Sequence, residues 1–272
     1  MESIEEIVLR YSARGMTHLT SQLPLDFCMN AAREILSWAQ GSVLLLTGFD
    51  VGGAPETDGP TGTYVMARAL ADLGYTPIVV SEPATCAFFS AMGIETREVL
   101  PGDTPSYFDE LLDVLAPVGI ISIERCGRNC HGKYCNMRGK DISARTSPLD
   151  ELVLRATRTA IPTVGVGDGG NEIGMGNVSQ LISEKLSLDP CSVTVDCLVV
   201  ATVSNWGAYG IVHAMGKCAG RPLLPAFDQV KRFYQFIVDR GSVDGTTGKR
   251  QVTVDGFSMD VERSIVEALH RV

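Results

Sequence analysis

The sequence predicts an α/β fold, a single three-layer doubly wound domain over residues 1–272 with a mostly parallel sheet between helical layers. Three observations lead there. Short apolar runs such as SVLLLT (Ser42–Thr47) alternate with amphipathic helical segments, the pattern of parallel strands buried on both faces. Glycine-rich polar stretches leave the carboxyl ends of the strands. No internal repeat, low-complexity tract or linker interrupts the alternation.

The elements follow in order. Ile4, Ile7, Val8 and Tyr11 sit at helical spacing, and a second helix runs from Asp26 as N-cap to Gln40. Ser42–Thr47 is the first strand. Thr61–Leu73 reads as a helix stopped by Gly74, ahead of a strand at Pro77–Val80. A helix over Ala84–Met92 leads to a short strand near Arg97–Leu100. Ser106–Leu115 is helical, Ile120–Ile123 a strand and Pro148–Thr159 a helix. Thr163–Val166 and Leu198–Val203 are further strands, each followed by a glycine-rich turn and a helix.

Composition narrows the function. The chain is 45% hydrophobic and 20% charged, which excludes a disordered or collagen-like polymer. Twenty-three Lys and Arg against 32 Asp and Glu give a net charge of −9, so a nucleic-acid partner is not expected. No window approaches the ~18 uninterrupted apolar residues of a membrane span. The opening Met-Glu-Ser-Ile-Glu-Glu is acidic, unlike a signal or transit peptide. Eight cysteines, among them Cys28, Cys86, Cys197 and Cys218 in apolar contexts, read as reduced thiols. The expected location is cytoplasmic, or the mitochondrial matrix if the chain is part of a larger eukaryotic protein. The oligomeric state stays open.

Four loops at strand ends carry the unusual sequence: Gly48–Pro60, Glu124–Asp141, Gly167–Asn177 and Ser204–Gly210. In open α/β sheets ligands bind at that edge, so the loops are expected to build one site. The first supplies Asp50, Thr57, Asp58 and Thr61 ahead of a helix N-terminus. It is not a P-loop, since no Gly-x-x-x-x-Gly-Lys-Ser/Thr occurs in the chain, and ATP-driven chemistry is unsupported. The second carries Glu124 with the cations Arg125, Arg128 and Arg138, which suit a carboxylate or phosphate ligand. Its Cys126, Cys130, His131 and Cys135 lack regular zinc-ligand spacing, and these thiols are expected to hold no essential metal. The third places Asp168, Asn171 and Glu172 at one turn, where carboxylates could ligate Mg²⁺, hold an ammonium or exchange protons. Ser204 and Asn205 open the helix after the last strand. His18, His213 and His270 read as core or surface residues, so no His-centred triad is expected.

GDGGNE (Gly167–Glu172) is similar to a motif of haloacid-dehalogenase-type phosphatases. That family also needs Asp-x-Asp after the first strand, where this chain has Asp50-Val51-Gly52. Taken together, TGFDVGGAPETDGPTG, SIERCGR…GKYCNMRGKDIS, GDGGNEIGMGN and DGTTGKRQVTVDG resemble the D-glutamate cyclase family, in order and over most of the chain. The resemblance implies a hydro-lyase that converts D-glutamate to 5-oxo-D-proline with loss of water. No cofactor is required for that reaction, and Mg²⁺ is the one ion the carboxylates invite. Ring closure needs a base for the ammonium and an acid for the departing oxygen. Asp168 and Glu172 are expected to be that pair, with Glu124 orienting Arg125 and the arginines neutralising substrate carboxylates. A Mg²⁺-dependent phosphatase and a non-catalytic amino-acid or anion-binding domain remain the alternatives.

Overall fold

The computed structural model describes residues 2–12, 14–186 and 188–272. Six parallel strands form the central sheet: β1 (Ser42–Thr47), β2 (Thr76–Ser81), β3 (Glu95–Glu98), β4 (Gly119–Ile123), β5 (Thr163–Gly167) and β6 (Cys197–Val200). Their order is β3-β2-β1-β4-β5-β6, the Rossmann-type arrangement. The sequence reading of a mostly parallel sheet is therefore met by one in which every pair is parallel. At the centre, Leu44 aligns with Ile78 on one side and Ile120 on the other. All residues of β4 and β5 are buried, which is why these segments are apolar without alternation.

Helices cover both faces. α3 (Phe27–Ser37), α4 (Pro60–Asp72) and α9 (Ser204–Ala219) pack together, while α6 (Pro105–Leu115) pairs with α7 (Asp150–Thr159). Right-handed crossovers that run outward in opposite directions from β1 and β4 place α4 and α7 on opposite faces. The approach of α4 to α9 is close enough to demand glycine. A Cβ on Gly62 would stand 2.9 Å from Ala208 Cβ and 3.0 Å from Asn205 Cα. Among the described residues no helix is long and apolar enough to cross a membrane.

Boundaries differ from the sequence reading where end groups decide them. The first helix, α1 (Ile4–Val8), stops short of Tyr11, whose φ of 62° is left-handed. α3 ends at Ser37 because Trp38 turns extended, and the last strand ends at Val200 rather than Val203. Five further helices are α2 (Met16–Leu19), α5 (Pro83–Ser90), α8 (Ser179–Lys185), α10 (Phe227–Val238) and α11 (Met259–Leu269). Two short hairpins, Asp50–Val51 with Ala54–Pro55 and Thr253–Val254 with Phe257–Ser258, lie outside the main sheet.

The strand order reverses between β1 and β4. The loops leaving these two strands therefore diverge and open a crevice at their carboxyl ends.

Candidate active site

Each loop reaches the crevice by an identifiable route. After β1 the chain makes the hairpin at 50–55, then drops through Glu56, Thr57 and Asp58 into α4. Gly59 permits the drop: its φ is 86°, and a Cβ there would meet both Glu124 Cβ and Thr47 Oγ1 at 2.8 Å. Glu124 follows β4 directly and is itself left-handed, with φ of 49°. The loops after β4 and β5 pair: Ile173 N donates to Arg125 O at 2.8 Å, and Gly127 N to Asn171 O at 2.9 Å. The segment at 243–256 closes the far side, with Thr57 N donating to Val243 O at 2.9 Å and Thr57 Oγ1 to Thr253 O at 2.8 Å. Buried Asp244 ties this segment down by accepting from Thr247 N, Gly256 N and Thr253 Oγ1. Asp255, at φ 51°, is thereby turned into the crevice. Left-handed carboxylate residues on two sides of one cleft are stored backbone strain of the kind found at working sites.

The result is a cleft of about 440 Å³ with a divided lining. Glu56, Glu124 and Asp255 form an acidic floor, and Arg138, Lys140 and Arg145 supply the cations of the lining, where Asp50 stands 3.4 Å from Arg145. Behind the floor stand Asp58 and Asp168, whose carboxylate oxygens lie within 4.8 Å of a Glu124 oxygen. The N-terminus of α9 binds this group. Ser204 N donates to Asp58 Oδ2 at 2.9 Å and to Asp168 Oδ2 at 3.2 Å, and Ser204 Oγ donates to Glu124 Oε2 at 2.5 Å. Asn205 N donates to Asp58 Oδ1 at 2.8 Å, while Asn205 Oδ1 accepts from Gly59 N and Gly62 N. The Asn205 amide is oriented by Tyr234 Oη, which accepts from Nδ2 at 2.7 Å and donates to buried Glu262 at 3.0 Å.

One guanidinium enters the acidic group. Arg14 pairs with Asp168 at 2.8 Å and with Asp255 at 3.0 Å. That does not balance the charge. Burial, with repulsion from Asp255, lifts Asp58 to about 7. Burial and the neighbouring Asp168 lift Asp255 to about 8 against the pull of Arg14. Glu56 and Glu124 rise well above the usual carboxylate range, through burial first and then Asp255 and Asp168 respectively. Burial raises Asp168 too, opposed by Arg14, and raises Glu172 against its backbone N–H donors. Two oxygens of lining residues, Asn171 Oδ1 and Asp255 Oδ2, are buried with no hydrogen-bond donor among the described residues. The group can hold a cation or an ammonium, and it can store and return protons at neutral pH.

Not every sequence candidate reaches this cleft. Glu124, Asp50, Arg138 and Asn171 line it, and Asp58, Asp168, Ser204 and Asn205 stand directly behind. Thr57 and Thr61 are buried beside the α4 N-terminus, and Glu172 directs Oε2 to Gly170 N at 2.7 Å. Arg125 and Arg128 point elsewhere. The expectation that Glu124 orients Arg125 is corrected: Glu82 does so, through contacts of 2.6 and 2.7 Å, and Gly48 O and Ser147 O accept the remaining terminal N–H groups. Arg125 is 1% exposed, so its charge serves the loop rather than a ligand. Arg128 is likewise spent on Asp150 at 2.6 Å and on Glu151. Of the thiols, Cys126 is buried against Tyr134 and Ile142, Cys135 is half-buried and Cys130 is exposed. Sequence reasoning did not single out Arg14, Glu56, Lys140, Arg145 or Asp255. Glu56 and Asp255 sit in stretches already marked by turn residues. Arg14 carries no local signal.

Two solved structures share only partial likeness: UGT73P12 of Glycyrrhiza uralensis (16% identity, 47% of this chain and 28% of that one, TM-score 0.30) and the Bordetella bronchiseptica enzyme WbmG (8%, 66% and 49%, TM-score 0.32). At that level neither bears on function. The Homo sapiens protein "D-glutamate cyclase, mitochondrial" is 40% identical over 100 residues, which is 35% of this chain and 16% of the human one. A family model described as D-glutamate cyclase-like, C-terminal, matches residues 4–270, a span that takes in Arg14, all four strand-end loops and Asp255, and the chain belongs to that family.

Proposed function

We propose that the protein is a D-glutamate cyclase, which closes D-glutamate to 5-oxo-D-proline and releases water. One observation supports the reading: the cleft lining holds both a buried acidic group and the cations Arg138, Lys140 and Arg145, as a substrate with one ammonium and two carboxylates requires. The rim formed by Arg138, Lys140 and Arg145 suits the carboxylates. The acidic floor of Glu56, Glu124 and Asp255 suits the ammonium.

The chemistry then follows. An ionised carboxylate on the floor takes a proton from the ammonium. A protonated neighbour gives its proton to the γ-carboxylate, and the freed nitrogen attacks the γ-carboxyl carbon, forming the C–N bond. The nitrogen then passes a second proton to the floor, and the C–O bond breaks as a carboxyl group there delivers a second proton to the departing hydroxyl, which leaves as water. Glu124 and Asp255 are the proposed acid–base pair, because both line the cleft and both have raised proton affinity. Asp168 acts one step back by holding Arg14, and Glu172 holds the third loop. Folding glutamate into ring geometry draws on intramolecular effective molarity, ~10⁵ M or more when well aligned. No nucleotide enters the reaction.

The test is incubation of the pure protein with D- or L-glutamate, without ATP, followed by chiral chromatography of 5-oxoproline. Turnover of the D enantiomer in clear preference to L is expected. Equal turnover of both, or no product, overturns the reading.

A further inference from the structure

The outer face of the second loop carries donors that the cleft does not use. Cys130, His131 and Asp189 are exposed, and a thiol sulfur, an imidazole nitrogen and a carboxylate oxygen from them lie within 4.8 Å of one another. Cys130 Sγ stands 3.7 Å from Asp189 Oδ1, and His131 Nε2 stands 3.9 Å from Asp189 Oδ2. Zinc bonds of about 2.3 Å to sulfur and 2.0–2.2 Å to nitrogen and oxygen separate tetrahedral ligands by about 3.4–3.6 Å. The sulfur–oxygen separation of 3.7 Å is close to that spacing, the nitrogen–oxygen separation of 3.9 Å is about half an ångström wide of it, and exposed His131 and Asp189 can close that gap by side-chain rotation.

The backbone beneath is already fixed. Asn129 Oδ1 accepts from His131 N at 3.0 Å and Lys133 N at 2.9 Å, and Asn129 Nδ2 donates to Asp189 Oδ2 at 2.7 Å. Asn129 also bridges to Cys191, two residues beyond Asp189. A turn held in this way loses little freedom on binding. Thiolate with imidazole favours zinc over the hard ions that carboxylates alone select.

We propose that Cys130, His131 and Asp189 form a zinc site, with water in the fourth position. Binding exchanges the thiol proton for the ion, so one H⁺ leaves as the S–Zn bond forms, while His131 binds as neutral imidazole. The site is not needed to shape the loop, which Asn129 already holds. Its consequence lies inward: Asn136, Met137, Arg138 and Lys140 of the same loop line the cleft, so zinc ties that wall to the Asp189 segment.

Cobalt(II) is the probe, titrated into the metal-free full chain. One equivalent should give tetrahedral d–d bands with a sulfur-to-cobalt charge-transfer band, and zinc should displace it. Cys130→Ser should lose the sulfur band and bind zinc more weakly by at least the ~10–100-fold that even an outer-shell change costs. Cobalt binding without a sulfur band, or zinc binding as tight in Cys130→Ser as in the parent, overturns the proposal. Sensitivity to Asp58→Asn instead would place the ion in the acidic cleft and overturn it equally. None of these readouts depends on glutamate turnover.

Discussion

Two adjacent regions handle buried charge in opposite ways. Around Arg125 the chain pairs the four terminal donors: two N–H groups face Glu82, two carbonyls take the other two, and Ser147 N adds a further donor to Glu82, so that only Nε–H is buried without a partner among the described residues. Across the crevice, Glu56, Asp58, Glu124, Asp168 and Asp255 gather around Arg14, the one cation in ion-pair contact with them among the described residues. A buried cation matched to one carboxylate and two carbonyls fixes a loop and leaves no charge over for a ligand. A surplus of desolvated carboxylates keeps protons near neutrality and can trade them. The residue types are the same in both places, and the ratio separates scaffold from site.

The largest effect should come from the surplus side. Glu124→Gln should lower D-glutamate turnover ~10²–10⁴-fold with the fold unchanged by circular dichroism. Turnover within a few-fold of the parent would move the chemistry off this floor. Next, Arg125→Met breaks the matched side and strands Glu82, at a cost of up to ~3–5 kcal/mol, lessened because Glu82 keeps some solvent. Urea unfolding should report that loss while KM stays near its parent value. A raised KM with unchanged stability would instead make Arg125 a ligand residue. Arg14→Gln comes third. Removing the cation lets Asp168 and Asp255 rise further, so the ascending limb of the pH–rate profile should move to higher pH by ~1 unit or more. An unmoved limb would show that neither acid governs the rate.

The mildest effect is on stability against pH. In the folded chain Asp58 and Asp255 keep their protons to about 7 and about 8. In the unfolded chain such carboxyls lose theirs near about 4. Between those limits the folded state binds more protons, so stability should fall as pH rises through them. Melting at pH 5.5 should therefore exceed that at pH 8.5, and Asp255→Asn should flatten the slope.

Local pattern revealed what is local. The strands at Ser42–Thr47, Gly119–Ile123 and Thr163–Gly167 are legible because a strand buried on both faces can only be apolar. Asp58, Glu124, Asp168 and Ser204 are legible because each lies in a loop leaving a strand's carboxyl end. Phe227–Val238 escapes assignment because it follows the last strand, where the strand–helix alternation no longer guides the reading. Long-range pairing escapes for a different reason. Arg125 is a cation at a strand end, as a ligand residue would be, and only its partner 43 residues away reveals its use. Arg14 meets Asp168 across 154 positions of chain, a contact that no window of sequence contains.

That last span has a consequence for how the protein is made. Arg14 leaves the ribosome long before Asp255, which completes the floor. Until the segment at 243–256 has docked on Thr57 and Asp244 has closed its turn, a growing chain holds the acids of the first three loops with one wall of the cleft missing. Biosynthesis itself thus acts as a timer, and the cleft becomes whole only once the segment at 243–256 has been translated.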